Sequence, residues 1–413
     1  MNIYLLIILF FIIGNYLLNS IVDYLNANNT QTNLPDEFKD SYDAQKYQKS
    51  QEYLKENTYF KLIYSTLLTT LVVLLILAGG FNFIDKLARG FGFGPILSGL
   101  IFIGILFFAF QIIDIPFSLY HTFIIEEKYG FNRTKPKTFI LDLLKGWGLT
   151  IILGGLVLSA ILWFFMRTGN WAWVLCWVAV TLFEIFLIFI APVTIMPLFN
   201  KFTPLEEGEL RESIQNYAKS QNFALKGVYT MDGSKRSSKA NAFFTGFGKY
   251  RRIVLFDTLI KKQSVDELVS VLAHEMGHFK KKHIFKNITI SILTTGLMFF
   301  ILSLFINNPG LFAAFRMDNL SIYASLVFFG FLYTPINMIL SILINLMSRK
   351  HEYESDSYAI QTYKKPEAFI SALKKLTVDN LSNLTPHPLK VFFSYSHPPV
   401  LKRIEAIRKT PLG

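Results

Sequence analysis

Long apolar runs separated by polar stretches dominate the chain. Ile3 to Ile21 is almost uncharged, and the pattern returns at Tyr59 to Gly80, Pro95 to Tyr120, Trp147 to Met166, Trp171 to Leu198, Ile284 to Ile306 and Leu320 to Met347. Each run approaches or exceeds the roughly 20 residues a helix needs to cross a hydrocarbon core. The pattern therefore predicts seven membrane spans. The first run lacks a basic start and reads as a retained span rather than a cleaved leader. The third is expected to continue as helix toward Glu126. Asp23 to Thr58, polar and mixed in charge, is a loop or a helical extension. Residues 1–199 then hold five spans and 284–347 two more. Residues 200–283 and 348–413 break the apolar pattern and form the two parts of a domain outside the membrane.

Composition agrees with a membrane protein: of 413 residues, 52% are hydrophobic and only 17% charged. The net charge of +12 would suggest nucleic acid in a soluble protein. Here the distribution of basic residues gives it another meaning, and no nucleic-acid partner is expected. The loops after spans 1 and 3 carry Lys39, Lys46, Lys49, Lys55 and Lys128, Arg133, Lys135, Lys137, Lys145, and residues 200–283 and the tail are also basic. The alternate loops hold only Lys86 and Arg89, then Arg167, then Arg316. The positive-inside rule places the basic loops, and with them residues 200–283 and the tail, on the cytosolic side. Those loops can also meet anionic membrane lipid. The lone cysteine, Cys176, permits no intrachain disulfide.

The chemistry centres on His274-Glu275-Met276-Gly277-His278. Ser264 and Glu267 form an S-x-x-E capping box, and Leu268, Val271 and Leu272 follow at helical spacing. On that helix His274 and His278 share a face and can grip one metal ion, with Glu275 beside them as the general base that takes a proton from activated water. A zinc site needs a third protein ligand. The metzincin positions hold Lys281 and Ile284, and no acid occurs from Ile284 to Phe315. The next acidic cluster is Glu352-Tyr353-Glu354-Ser355-Asp356, where Glu352 and Asp356 share a helix face and Glu354 points elsewhere. Glu352 is thus the expected third ligand. Asp356 is either the partner that orients a ligating histidine or a proton donor. His283 misses the ligand register by one residue. Because two spans separate His278 from Glu352, the site must lie at the cytosolic membrane face or just inside it. Arg252 to Phe256 reads as a strand.

The chain resembles the integral-membrane zinc metallopeptidases known as type I CAAX prenyl proteases. The likeness rests on H-E-x-x-H, on Glu352-Tyr353-Glu354-Ser355-Asp356, and on Ser394-Tyr395-Ser396-His397-Pro398-Pro399 followed by Arg403. It extends to Asn241-Ala242-Phe243 with Arg252 to Leu259, and to Pro116-Phe117-Ser118-Leu119-Tyr120, Glu127 to Asn132 and Pro197 to Phe202. The resemblance implies a mainly α, polytopic fold in which seven helices enclose a chamber capped by a zincin (gluzincin) catalytic domain with a small β element. It implies one zinc ion per chain, an edge at Asn241 and Ala242 that pairs with the substrate backbone, and His397 poised over the metal to stabilise an oxyanion. Arg403 would hold either a substrate carboxylate or a buried acid. Asp114 and Glu184 would line the chamber or pair within the bundle.

The function expected is that of a zinc metalloendopeptidase acting on a peptide or protein substrate. The resemblance adds cleavage after a prenylated cysteine near the substrate's C-terminus, at the endoplasmic reticulum in a eukaryote or the inner membrane in a bacterium. Two rivals differ in kind. One is a quality-control protease with no prenyl requirement; the other is a transporter or lipid-binding protein with a structural zinc.

Overall fold

In a computed structural model the described residues are 2–29, 33–245 and 252–412. Among them, seven helices are long and apolar enough to cross a membrane: Ile3–Asn28, Ala44–Leu77, Pro95–Glu126, Pro136–Arg167, Gly169–Phe199, His283–Phe305 and Ile322–Tyr363. This is a multi-pass membrane protein with the seven spans the hydropathy pattern predicts. Their ends differ from the apolar runs for a physical reason. Hydrophobicity marks the part of a helix in lipid, but the helix itself continues while its residues favour it. The second helix begins at Ala44, where Asp43 accepts from Lys46 N at 2.6 Å, and passes through Gln, Lys and Glu residues, all good helix formers. Asp23 to Thr58 is thus mainly the end of one span and the beginning of the next. The fourth helix begins at Pro136, whose fixed φ suits the first helical position.

The seventh helix is the one that matters for the site. Its 42 residues run unbroken from the membrane to Tyr363, well past the last apolar residue of the run. At 1.5 Å per residue that is roughly 63 Å, about twice the hydrocarbon thickness. Glu352 and Asp356 therefore ride on the extension of a membrane span.

Outside the membrane the described residues form one four-stranded sheet: β1 (Phe202–Pro204), β2 (Gly227–Met231), β3 (Ala242–Thr245) and β4 (Arg252–Phe256), in the order β1-β2-β4-β3. Strand β4 lies parallel to β2, and β3 lies antiparallel to β4 with Ala242 opposite Leu255. β3 is an edge. The helix Val265–Lys280, which carries the His-Glu motif, buries Leu268, Val269, Leu272, Ala273 and Met276 in one core with Ile253 and Leu255 of the sheet, Ile360 of the seventh helix and Phe369 and Ile404 of the tail. A separate core of aliphatic and aromatic residues, with Phe315 stacked on Phe328 at 3.8 Å between ring centres, joins the spans. Within the bundle, Asp114 accepts from Tyr64 Oη at 2.7 Å and Glu184 accepts from Ser291 Oγ at 3.2 Å.

Candidate active site

The site is built on two helices pressed together. The first starts at the capping box the sequence announces: Glu267 N donates to Ser264 Oγ, and Ser264 N donates to the Glu267 carboxylate at 2.7 Å. The same carboxylate takes bonds from Ser371 Oγ at 2.5 Å and Lys375 Nζ at 2.8 Å. Gly277 then lets the helix approach the seventh one. A Cβ at that position would stand 2.9 Å from Ser355 Cα and 3.1 Å from its carbonyl oxygen. No side chain fits, and this close crossing sets Glu352 beside the histidines.

One ligand atom each from His274, His278 and Glu352 falls within 4.8 Å of the others. The imidazole Nε2 atoms are 3.2 Å apart. Glu352 Oε2 lies 3.5 Å from His274 Nε2 and its Oε1 3.3 Å from His278 Nε2. Glu352 Oε2 is buried without a hydrogen-bond partner, although Arg403 Nη1 stands 3.3 Å away. A buried carboxylate with one oxygen near each imidazole Nε2, and with Oε2 taking no hydrogen bond, is what a cation site provides. Glu275 is partly exposed and lines the same cleft, about 410 Å³ in volume. A larger cavity, about 540 Å³, lies between the first two spans, away from these groups.

Behind His274, Asp356 Oδ1 is 2.8 Å from its Nδ1. Asp356 in turn is held by Arg403 through Nη2 at 2.6 Å and Nε at 2.9 Å. Of the two parts open to Arg403, its guanidinium thus meets a buried acid in this structure. Burial alone would disfavour a charged His274, but the Asp356 carboxylate raises its pKa above the ordinary histidine value. Burial likewise works against the Arg403 cation, and Asp356 and Glu352 more than reverse that effect. Negative charge converging on the imidazole favours a metal cation there as it favours a proton.

His397 is brought to the mouth of the cleft, with its Nε2 3.4 Å from Glu352 Oε1 and its side chain largely exposed. Its loop is tied to the seventh helix: Asn345 Nδ2 donates to the Phe393 carbonyl at 3.1 Å, and Arg349 Nη1 donates to the carbonyls of Val391 and Tyr395. Asn241 and Ala242 form the cleft's other wall, at the start of edge strand β3. That edge is braced from below. Lys239 Nζ donates to Glu126 at 2.8 Å and to Tyr53 Oη at 2.9 Å, and Arg236 forks onto Asp142 at 2.7 and 2.8 Å. Sequence reading missed these braces, the role of Gly277, and His283, whose Nδ1 lies 3.2 Å from His278 Nδ1. The five-residue interval between the two histidines was the only signal available.

A paired-histidine, glutamate-bearing cleft set on helices continuous with membrane spans defines an integral-membrane metallopeptidase. Comparisons with known proteins agree over most of the chain. Residues 23–201 match the family model described as CAAX prenyl protease N-terminal, five membrane helices, and residues 204–411 match Peptidase family M48. The chain is 37% identical over 373 residues to the CAAX prenyl protease 1 homolog of Arabidopsis thaliana, covering 88% of this chain and 87% of that one. It is 34% identical to the human CAAX prenyl protease 1 homolog, covering 92% and 89%. The crystal structure of S. mikatae Ste24p superimposes with a TM-score of 0.93 at 32% identity, covering 98% of this chain and 99% of that one. The chain belongs to peptidase family M48, among the membrane-integrated CAAX prenyl proteases, and is a metalloprotease.

Proposed function

We propose that this protein is a zinc endopeptidase of CAAX processing, which cuts after a prenylated cysteine near a protein's C-terminus and releases the last three residues. The observation that carries the reading is the convergence of His274, His278 and Glu352 beside Glu275 in a cleft walled by an open strand edge. The substrate class comes from the relatives, whose names are those of CAAX prenyl proteases.

His274 Nε2, His278 Nε2 and the Glu352 carboxylate would hold the zinc, a donor set that suits this ion and leaves a position open. The bound zinc supplies Lewis acidity, activating water and polarising the scissile carbonyl. Residues of the chain do the rest. An extended peptide lies along β3 from Asn241 and Ala242, adding its backbone to the sheet edge. Glu275 takes the proton of the attacking water and passes it to the leaving amine. His397 donates to the oxygen that becomes negative as the carbonyl carbon turns tetrahedral. Asp356 and Arg403 keep His274 in place from behind. The basic loops support a cytosolic position for this cleft. There the substrate's lipid can stay among apolar helices while its peptide end enters the site.

The test is mass spectrometry of the products from one peptide sequence in prenylated and unprenylated forms, with and without a chelator. The expected product is a released tripeptide, from the prenylated form only, lost with chelator and restored by zinc. Equal turnover of both forms would remove the prenyl requirement. Turnover that survives complete metal removal would remove the zinc mechanism.

A further inference from the structure

The two imidazoles that face the metal position are backed by different groups. His274 presents its Nδ1 directly to a carboxylate, Asp356, at 2.8 Å. His278 presents its Nδ1 to another imidazole, His283, at 3.2 Å between the Nδ1 atoms. His283 Nε2 then lies 2.8 Å from Glu354 Oε2. His283 is 1% exposed, and its ring stacks on His351 with 3.9 Å between centres and 12° between planes. The chain reaches this position through Lys282, whose φ of 59° is a left-handed conformation that costs a non-glycine residue energy. That turn brings His283 back beside His278 and also begins the sixth span.

Proton positions follow from the donor and acceptor chemistry. An ionised carboxylate only accepts, so Glu354 requires hydrogen on His283 Nε2. In a neutral imidazole the other nitrogen is then an acceptor, so His283 Nδ1 offers a lone pair. His283 Nδ1 is met by His278 Nδ1 at 3.2 Å and, more distantly, by Ser355 Oγ at 3.5 Å, and the nearer contact is a hydrogen bond only with hydrogen on His278 Nδ1. This leaves His278 Nε2 with its lone pair free, on the side facing His274 Nε2 and Glu352. His283 itself is not a fourth ligand: its Nδ1 points at the far nitrogen of His278.

We infer that His283, anchored by Glu354, is the positioning residue that fixes the ring orientation and tautomer of His278 for metal binding. Glu354 is thereby given a part in the site although it points away from the metal face of its helix. The inference rests on the reading of His274, His278 and Glu352 as a zinc site. A metal-ligating histidine whose other nitrogen loses its partner typically binds metal 10–100-fold more weakly.

The test uses the full-length protein in detergent, stripped of metal and titrated with zinc against a competing chromophoric chelator. Cobalt(II) substituted for zinc reports the ligand field through its visible spectrum. His283→Leu, which keeps bulk but no acceptor, is expected to weaken zinc binding by about 10–100-fold and shift the cobalt spectrum. Glu354→Ala, at a half-exposed position, is expected to weaken it in the same direction, by about tenfold. His283→Asn puts a carbonyl oxygen near the place of Nδ1 and should recover most of the affinity. A merely structural role predicts instead that the leucine and asparagine variants fall together. Wild-type affinity in Glu354→Ala, or equal losses in His283→Leu and His283→Asn, would overturn the inference. Should His283→Leu fail to fold, the other two variants decide it. Failure of the underlying reading is distinct, because the unaltered protein would then take up no zinc.

Discussion

Arg403 and Asp356, 47 residues apart in sequence, form a two-point ion pair: Nη2 to Oδ1 at 2.6 Å and Nε to Oδ2 at 2.9 Å, with both side chains almost wholly buried. Removing one partner of a buried pair leaves an uncompensated charge and typically costs about 3–5 kcal/mol. Arg403→Leu should therefore lower the unfolding temperature in detergent markedly and leave His274 without a fixed partner. Arg403→Lys cannot fork onto two oxygens and should recover little activity. A lysine variant with full turnover and full stability would show that the two-point geometry is dispensable.

Glu275→Gln removes the proposed base and leaves His274, His278 and Glu352 intact. Peptide turnover should fall by about 10²–10⁴-fold, while elemental analysis still finds one zinc per chain. Full activity in this variant would rule out Glu275 as the proton carrier.

Gly277→Ala tests how the site is assembled. The added carbon would meet Ser355 Cα at 2.9 Å, backbone against backbone, so the two helices must move apart. Overpacking of this kind typically costs about 1–3 kcal/mol. The predicted result is a loss of zinc along with stability, although residue 277 is not a ligand. Wild-type zinc content at a lowered melting temperature would separate packing from metal binding.

His397→Ala should act on the chemical step more than on substrate capture. Loss of one donor to a developing oxyanion costs about 10²–10³-fold in kcat. KM for a defined peptide is expected to change little. A rise in KM with kcat unchanged would assign His397 to binding alone.

Glu267 offers a pH test of stability outside the chemistry. Burial by itself would raise its pKa, but Lys375, Ser371 and the Ser264 amide together hold it below the usual carboxylate value. A lowered folded-state pKa contributes stability that is fully present above the unfolded value of about 4.3 and is lost as pH falls through the folded one. The gap in melting temperature between the native protein and Glu267→Gln should therefore be widest near neutrality and shrink below pH 4. A gap independent of pH would mean that the ionised carboxylate contributes nothing.

The parts of this architecture legible in sequence were those written in short-range patterns. Seven apolar runs gave seven spans, because lipid imposes length and apolarity on each one locally. Ser264 and Glu267 marked a helix start because a capping box is complete within four residues. That Glu352 comes beside His274 and His278 was legible by a longer route, through the absence of any acid between Ile284 and Phe315. Helix ends were less legible, since Ala44–Leu77 and Ile322–Tyr363 continue through polar residues that hydropathy does not count. Least legible were relations that exist only after packing. Nothing near Gly277 in sequence announces Ser355, and nothing near Lys239 announces Glu126 or Tyr53. His283 gave no sign of its place, because what it meets is the Nδ1 side of His278.

The continuous helix Ile322–Tyr363 couples the position of Glu352 to the tilt of a membrane span. Glu352 stands about 45 Å along the rod from its start in the membrane, at 1.5 Å per residue. A change in tilt of about 2° swings such a lever arm by about 1.5 Å, and helices accommodate hydrophobic thickness by tilting. Because Gly277 and Ser355 lock the motif helix to this rod, the cleft must travel with it as a unit. Membranes of different thickness would then shift Glu352 and the groups packed on it mainly sideways, parallel to the bilayer plane.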